Sequence, residues 1–209
     1  KIERENQDMW KLVWENRIIS LFQMEQGSGI QAIALTKPHS LEDLAAINSV
    51  MRLMASERGA EQPLNKYARF KDSHPHAWER EMVEHGLSAD ERIMMHKYLD
   101  YEYGVCATQE DLMSMVQNPL IGGFSLSWAD KLRKAIAKKK PVEFNKLTDE
   151  FFANAKEKEL SKALTDYVWN VLFVTQRGYS FNLSHTLSYS MIGLQEMNLA
   201  FNYPILFWN

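Results

Sequence analysis

Helical periodicity runs through almost the whole chain, and few residues interrupt it: six prolines and nine glycines occur in 209 residues. Between residues 7 and 16, Met9, Trp10, Val13 and Trp14 recur at i, i+1, i+4 and i+5, which places them on one helical face. Ser40-Leu-Glu-Asp43 has capping-box spacing, and Leu41, Leu44, Ala45, Ile47, Val50, Met51 and Met54 then mark a helix of about four turns. Ser88-Ala-Asp-Glu91 opens another, with Ile93, Met94, Tyr98 and Leu99 on one side. Further helices are predicted over 30–36, 109–116, 127–137, 142–154, 158–175 and 184–200. Residues 18–24 read as either a strand or a turn, broken by Gly27 and Gly29, and 103–108 as a short extended segment. The expected fold is mainly α with a few short strands, in a single domain over 1–209. Residues 57–78 carry two prolines, two histidines and no visible period, so they read as a loop or arm, the start of a divergent polar stretch reaching residue 100.

Composition removes several classes of function. The single cysteine, Cys106, excludes an internal disulfide framework and a multi-cysteine zinc site. Its apolar and small neighbours make it a buried small hydrophobe by expectation. The net charge of −3 is not the footprint of a chain that is basic throughout. The apolar runs are too short to span a bilayer. The chain opens on a polar stretch without the apolar core of a signal peptide and closes on apolar YPILFWN, which suggests a piece of a longer, cytoplasmic polypeptide.

Electrostatics must therefore be local. Lys131 to Lys140 holds six basic residues and no acid. As a helix, it sets Lys131, Lys134 and Lys138 on one face and Leu132, Ala135 and Ile136 toward the core. Flanked by Phe124 and Trp128, such a stripe suits phosphate oxygens, or it is simply a solvated helix face. Gln26-Gly-Ser-Gly29 is only a weak phosphate-loop candidate and reads as a turn. Six histidines occur without a metal-binding spacing. The acidic pairs Glu42-Asp43, Asp90-Glu91, Glu110-Asp111 and Asp149-Glu150 are expected at helix starts, where acids complement the macrodipole. Residues 177–185 combine a glycine-aromatic turn with Asn182 and Ser184 as caps of the next helix and His185 in its first turn. That arrangement suits a base, a sugar and a phosphate, or is an ordinary packed turn.

Several of these stretches, taken in order, resemble the C-family replicative DNA polymerases of bacteria (the polymerase III α subunit and its Gram-positive relative). Leu21 to Glu25 is similar to that family's φFQxE segment. Ser40 to Asn48, ending at Arg52, is similar to the stretch before its Arg-Pro-Gly. Tyr103-Gly-Val105 with Gln109, Glu110 and Met113 resembles YGxxxYQEQxM. Ala129 to Lys140 resembles AD-x-LRRA-x-x-KKK, Gly178 to Tyr189 resembles GYGFNKSHAxxY, and Tyr203-Pro204 with Phe207 resembles YPxxF. The likeness runs from about Leu12 to Phe207 and corresponds to the helical fingers domain.

The resemblance implies roles. Arg133 and Lys134 would face the triphosphate of an incoming dNTP, with Lys138, Lys139 and Lys140 behind them. Lys131, Arg52 and Gln109 would meet DNA or phosphate. Phe181, Asn182, Ser184 and His185 would lie over the nascent base pair and the nucleotide sugar, His185 excluding a 2′-hydroxyl. The catalytic carboxylates and their Mg²⁺ ions would belong to the palm, so no catalytic residue and no metal ligand is expected here, and this chain alone would not polymerise. Partners would be primer-template DNA, dNTP and the palm and thumb, with any sliding clamp bound through regions outside this chain. The alternative is a stand-alone, non-catalytic module binding DNA or a replisome partner. Leu183 stands where the family has Lys, Leu53-Met54 where it has Pro-Gly, and Thr108 where it has Tyr, which points to a divergent, phage-encoded member.

Overall fold

The computed structural model describes residues 2–17, 21–53, 60–138, 140–176 and 181–208. In chain order the helices are α1 (Gln7–Trp14), α2 (Gly27–Thr36), α3 (Leu41–Val50), α4 (Pro63–Asp72), α5 (His76–Glu84) and α6 (Ala89–Leu99). They continue as α7 (Gln109–Gln117), α8 (Leu126–Ala137), α9 (Pro141–Glu157), α10 (Lys162–Tyr167), α11 (Leu183–Asn202) and α12 (Pro204–Trp208). Among the described residues there is no strand, only one isolated bridge between Thr108 and Phe181. The fold is mainly α. The chain divides into two compact units, Lys1–Arg52 with Asn182–Asn209, and Leu53–Phe181.

In the first unit, Asn6 caps α1 by accepting from the amides of Asp8 and Met9, and Met9, Trp10 and Val13 are buried as the periodicity predicts. Ser40 caps α3 through the Asp43 amide at 3.0 Å. That helix ends at Val50, a turn earlier than the apolar spacing suggests; Met54 lies outside the described residues. α11 packs on α3, with the small side chains of Thr186 and Ser190 in the contact. Thr186, Ser190, Gly193 and Met197, all buried, recur at helical spacing. Thr186 donates its hydroxyl to the Ala45 carbonyl at 2.5 Å, and Asn48 donates to Ser190 at 2.9 Å.

The Gln26–Gly29 stretch is not a loop. Gly27 and Gly29 occupy the first turn of α2. A side chain at Gly29 would start 2.6 Å from the Met24 backbone, so this glycine is explained by close backbone approach and not by phosphate.

The second unit corrects the reading of 57–78. Residues 57–59 lie outside the described set, but 63–72 and 76–84 are helical. Pro63 takes the first helical position, where its missing N–H costs nothing. Pro63, Tyr67 and Phe70 form the buried stripe at i, i+4, i+7, and Trp78 and Met82 continue it on α5. The period was present, but charged neighbours masked it. Trp78 is wholly buried and donates through Nε1 to the Tyr167 hydroxyl at 3.1 Å; that hydroxyl donates to Glu81 at 3.0 Å.

The stretch predicted as one helix over 158–175 breaks up. Glu159 adopts a left-handed φ of 51° after α9, α10 ends at Tyr167, and a π turn (Val168–Leu172) and a 3₁₀ turn (Phe173–Gln176) follow. Trp169 sits at this irregular place, stacked on Phe151 with ring centroids 4.4 Å apart. Asp149 and Glu150 lie in the middle of α9, not at a helix start, because Pro141 begins that helix two turns earlier. No helix among the described residues is long and apolar enough to cross a membrane.

Candidate functional site

Ser125 caps α8 with its hydroxyl on the Trp128 amide, and Ala129, Leu132, Ala135 and Ile136 form the buried face of that helix. Burying those four turns the cations outward. Arg133 is held on two sides. Its Nε and Nη2 donate to one oxygen of Asp130 at 3.0 and 2.7 Å, and its Nη1 donates to the Gln109 side-chain oxygen at 3.0 Å. A guanidinium has five N–H groups. Three are used in these bonds, and two are left over.

Lys134 pairs with the other Asp130 oxygen at 2.5 Å. These two cations, Lys134 first and Arg133 second, lower the Asp130 carboxyl from its ordinary value through their hydrogen bonds. Lys140 pairs with Glu143 at 3.1 Å. Lys131 and Lys138 are exposed and make no ion pair among the described residues. Lys139 lies outside the described residues. The run of six cations is thus partly neutralised by acids just outside it, at i−3, i−4 and i+3, a spacing readable from the sequence.

Gln109 is the first residue of α7, behind its cap Thr108. Its amide donates to the Phe181 carbonyl at 2.9 Å. Three stretches far apart in sequence, carrying Gln109, Arg133 and Phe181, therefore meet in the second unit. Phe124 and Trp128 stack at 3.7 Å beside α8, with the Trp128 indole donating to Glu150 at 2.8 Å.

The remaining candidates belong to the first unit. Asn182, not Ser184, caps α11: its side-chain oxygen accepts from the amides of Ser184 and His185 at 3.1 and 3.3 Å. Ser184 lies one position too far into the helix to cap it, and its hydroxyl donates to the same Asn182 oxygen. Ser184 and His185 are exposed. The His185 ring lies 6.0 Å from Tyr189, which meets Phe22 edge-on at 5.4 Å. Arg52 donates to the Asn48 carbonyl at 3.2 Å and to the Gln23 side chain. Residues 177–180 and Met54 lie outside the described residues.

One group was missed by sequence reasoning. Glu102 is buried to 1% exposure and accepts from the Ala107 amide at 3.1 Å. Burial first, then the charge of Asp111 and a hydrogen bond with it, push the Glu102 carboxyl well above its ordinary value. Asp111 closes the α7 capping box, accepting from the Thr108 amide and hydroxyl at 2.8 and 2.6 Å, and also receives the Tyr101 hydroxyl. Beside it, Cys106 is buried as expected, its thiol pushed up by the same desolvation and in contact with Gln176 at 2.9 Å.

The acid pair has a consequence for stability. Above the ordinary value of 4.5, the unfolded chain has lost the Glu102 proton while the folded chain keeps it. The folded state then binds more protons, so stability falls as pH rises from there toward the raised value. Glu102→Gln mimics the protonated form. Its stability in urea, relative to the parent chain, should rise by about 1 kcal/mol or more between pH 5 and pH 8. Titrating groups remote from this acid pair are common to both chains and cancel. A difference that stays flat with pH would contradict the protonated assignment.

Two of the histidines are tied to acidic side chains. His96 lies between Glu79 of α5 and Asp100 at 2.7 and 2.9 Å, and His74 reaches the same Asp100 oxygen at 3.1 Å. Among the described residues no three acidic, histidine or cysteine side chains converge to hold a metal ion. Mg²⁺ demands a near-octahedral oxygen shell, so these residues do not fit it.

The second unit thus turns a tethered arginine and exposed lysines outward on α8, and the first unit carries the Asn182-capped start of α11. The family model described as the bacterial DNA polymerase III alpha subunit finger domain matches residues 1–159, and the chain belongs to that family. It is 42% identical over 208 residues to a probable DNA polymerase of Bacillus subtilis and to a DNA-directed DNA polymerase of Bacillus phage SPbeta. It is 32% identical over 206 residues to the DNA polymerase III subunit alpha of Campylobacter jejuni. These alignments take in 97 to 100% of this chain but only 16% of the length of each relative.

Proposed function

We propose that the chain is the fingers portion of a DNA-directed DNA polymerase, and that α8 binds the triphosphate of the incoming dNTP. The observation that carries this reading is the posture of Arg133, anchored by Asp130 and Gln109 with two N–H groups left over. A preorganised guanidinium stabilises phosphate charge without reorganising at the moment of reaction. Lys134 adds a second charge, although Lys lacks the planar fork of Arg. Asn182 orders the turn that carries Phe181, Ser184 and His185, which would contact the base pair and the sugar. Lys131, Lys138, Lys139 and Lys140 would meet primer-template phosphates, as would Arg52.

In-line nucleotide transfer needs carboxylate-bound Mg²⁺. In this reading the palm supplies it and the thumb completes the grip on DNA, both from outside these residues. The work of this chain is to bind, orient and neutralise.

Primer-template binding by the complete polymerase tests the phosphate role of the unpaired cations. Changing Lys131 and Lys138 to Ala should weaken DNA binding at every sequence and flatten the plot of log affinity against log salt by about 1 to 2. Unchanged affinity and slope would remove these lysines from the interface.

A further inference from the structure

The buried acid pair lies behind the cap of α7, and α7 begins with the residue that holds Arg133. We propose that Glu102 is a positioning residue for Arg133, acting through the Thr108–Asp111 capping box and the Gln109 side chain. The inference rests on the nucleotide-binding reading of Arg133.

The connection is continuous. Glu102 receives the Ala107 amide at 3.1 Å and shares a hydrogen bond with Asp111. Asp111 in turn holds both the amide and the hydroxyl of Thr108, while the Asp111 amide donates back to the Thr108 hydroxyl at 3.3 Å. This fixes the first peptide of α7. The next residue, Gln109, is pinned by its amide to the Phe181 carbonyl at 2.9 Å and meets the guanidinium with its side chain at 3.0 Å. Thr108 is further tied down from behind, its carbonyl accepting from Gln176 at 3.0 Å.

A buried carboxyl is costly, and an isosteric apolar residue would fill the space without that cost. What Glu102 provides is a donor to one side and an acceptor to the other at one fixed spacing. Glutamine provides the same pair, with its amide N–H₂ toward Asp111 and its oxygen toward Ala107. Alanine provides neither, leaving the Ala107 amide without an acceptor and Asp111 without its partner. The cap then loosens, Gln109 loses its fixed origin, and Arg133 keeps only its tie to Asp130.

The test is steady-state primer extension by the complete polymerase at neutral pH, with dNTP as the varied substrate. Glu102→Ala should lower kcat/KM for dNTP about 10-fold, the loss of one charge-assisted hydrogen bond. Glu102→Gln should stay within about 2-fold of the parent, since it preserves both bonds. In an Arg133→Ala background, Glu102→Ala should have no further effect, because residues acting through one group are not additive. Gln109→Ala leaves the acid pair intact and should reproduce the Glu102→Ala loss even if that variant does not fold. The inference is overturned if Arg133→Ala lowers kcat/KM while a folded Glu102→Ala or Gln109→Ala does not, or if the losses simply add. If Arg133→Ala itself has no effect, the nucleotide-binding reading fails first.

Discussion

Changing Arg133 and Lys134 together to Ala in the polymerase that carries this chain is expected to lower kcat/KM for dNTP about 100-fold or more. Each hydrogen bond from a charged donor to phosphate is worth about 1.5 to 3 kcal/mol, and the variant removes at least two such donors. Primer-template affinity should change far less, since Lys131 and Lys138 remain and are not engaged by acids among the described residues. The variant should also fold. Lys134 is exposed and Arg133 half-buried, and the apolar face made by Leu132, Ala135 and Ile136 is untouched. Arg133→Lys is the sharper probe. It keeps the charge but loses the geometry that spans Asp130 and Gln109, and it should lie between Ala and the parent. The measurement is single-nucleotide incorporation over a dNTP titration.

The second large effect concerns Gly104. Its φ is +85°, a conformation that side-chain-bearing residues rarely adopt. An added methyl group would also meet three ring atoms of Trp78 at 2.4 to 2.6 Å. That ring cannot step aside, because it is wholly buried and hydrogen-bonded to Tyr167. Backbone strain and overpacking together put the cost of Gly104→Ala at about 3 kcal/mol or more. Gly27→Ala is the control: nothing lies within 4 Å of its added methyl, and it sits in the first turn of α2. It should be neutral or stabilising by a few tenths of a kcal/mol. Urea denaturation followed by far-ultraviolet circular dichroism separates the two outcomes, and equal midpoints would contradict the packing described for Trp78.

Gly104 also illustrates what a sequence can and cannot reveal. The motif Tyr-Gly-Val was visible at 103–105, but the reason for its glycine was a tryptophan 26 residues earlier, inside a stretch that looked like a polar arm. Helices with strong caps and clean periods, such as α1 and α8, were readable because local signals agree with tertiary burial. Residues 63–84 were not, because charges outnumber the buried Pro63, Tyr67, Phe70, Trp78 and Met82 and hide their spacing. The π turn at 168–172 has no local signature, and it falls where the Trp169 ring stacks on Phe151 from a distant helix.

The site divides the same way. The basic run on α8 was evident from composition alone. Its partial neutralisation was also legible, since Asp130 and Glu143 stand one turn from their cations. The meeting of Arg133 with Gln109 is a tertiary fact, reached only through the resemblance that set both residues among the candidates. Glu102 was out of reach, because a carboxylate nine residues before Asp111 carries no signal that the two will share a dry interior. Asn182 and Ser184 were both plausible caps, and helix phase decided for Asn182.

The contact proposed between α8 and the nucleotide triphosphate is the one on which the other roles depend. The most direct measurement is photo-cross-linking of a dNTP carrying an aryl azide on its γ-phosphate, in the complete polymerase paused on primer-template DNA, followed by peptide mapping. The label should fall within residues 126–140, should be competed away by unmodified dNTP, and should drop sharply in the Arg133→Ala, Lys134→Ala variant. Efficient, competable labelling confined to other segments, with α8 unmarked, would contradict it.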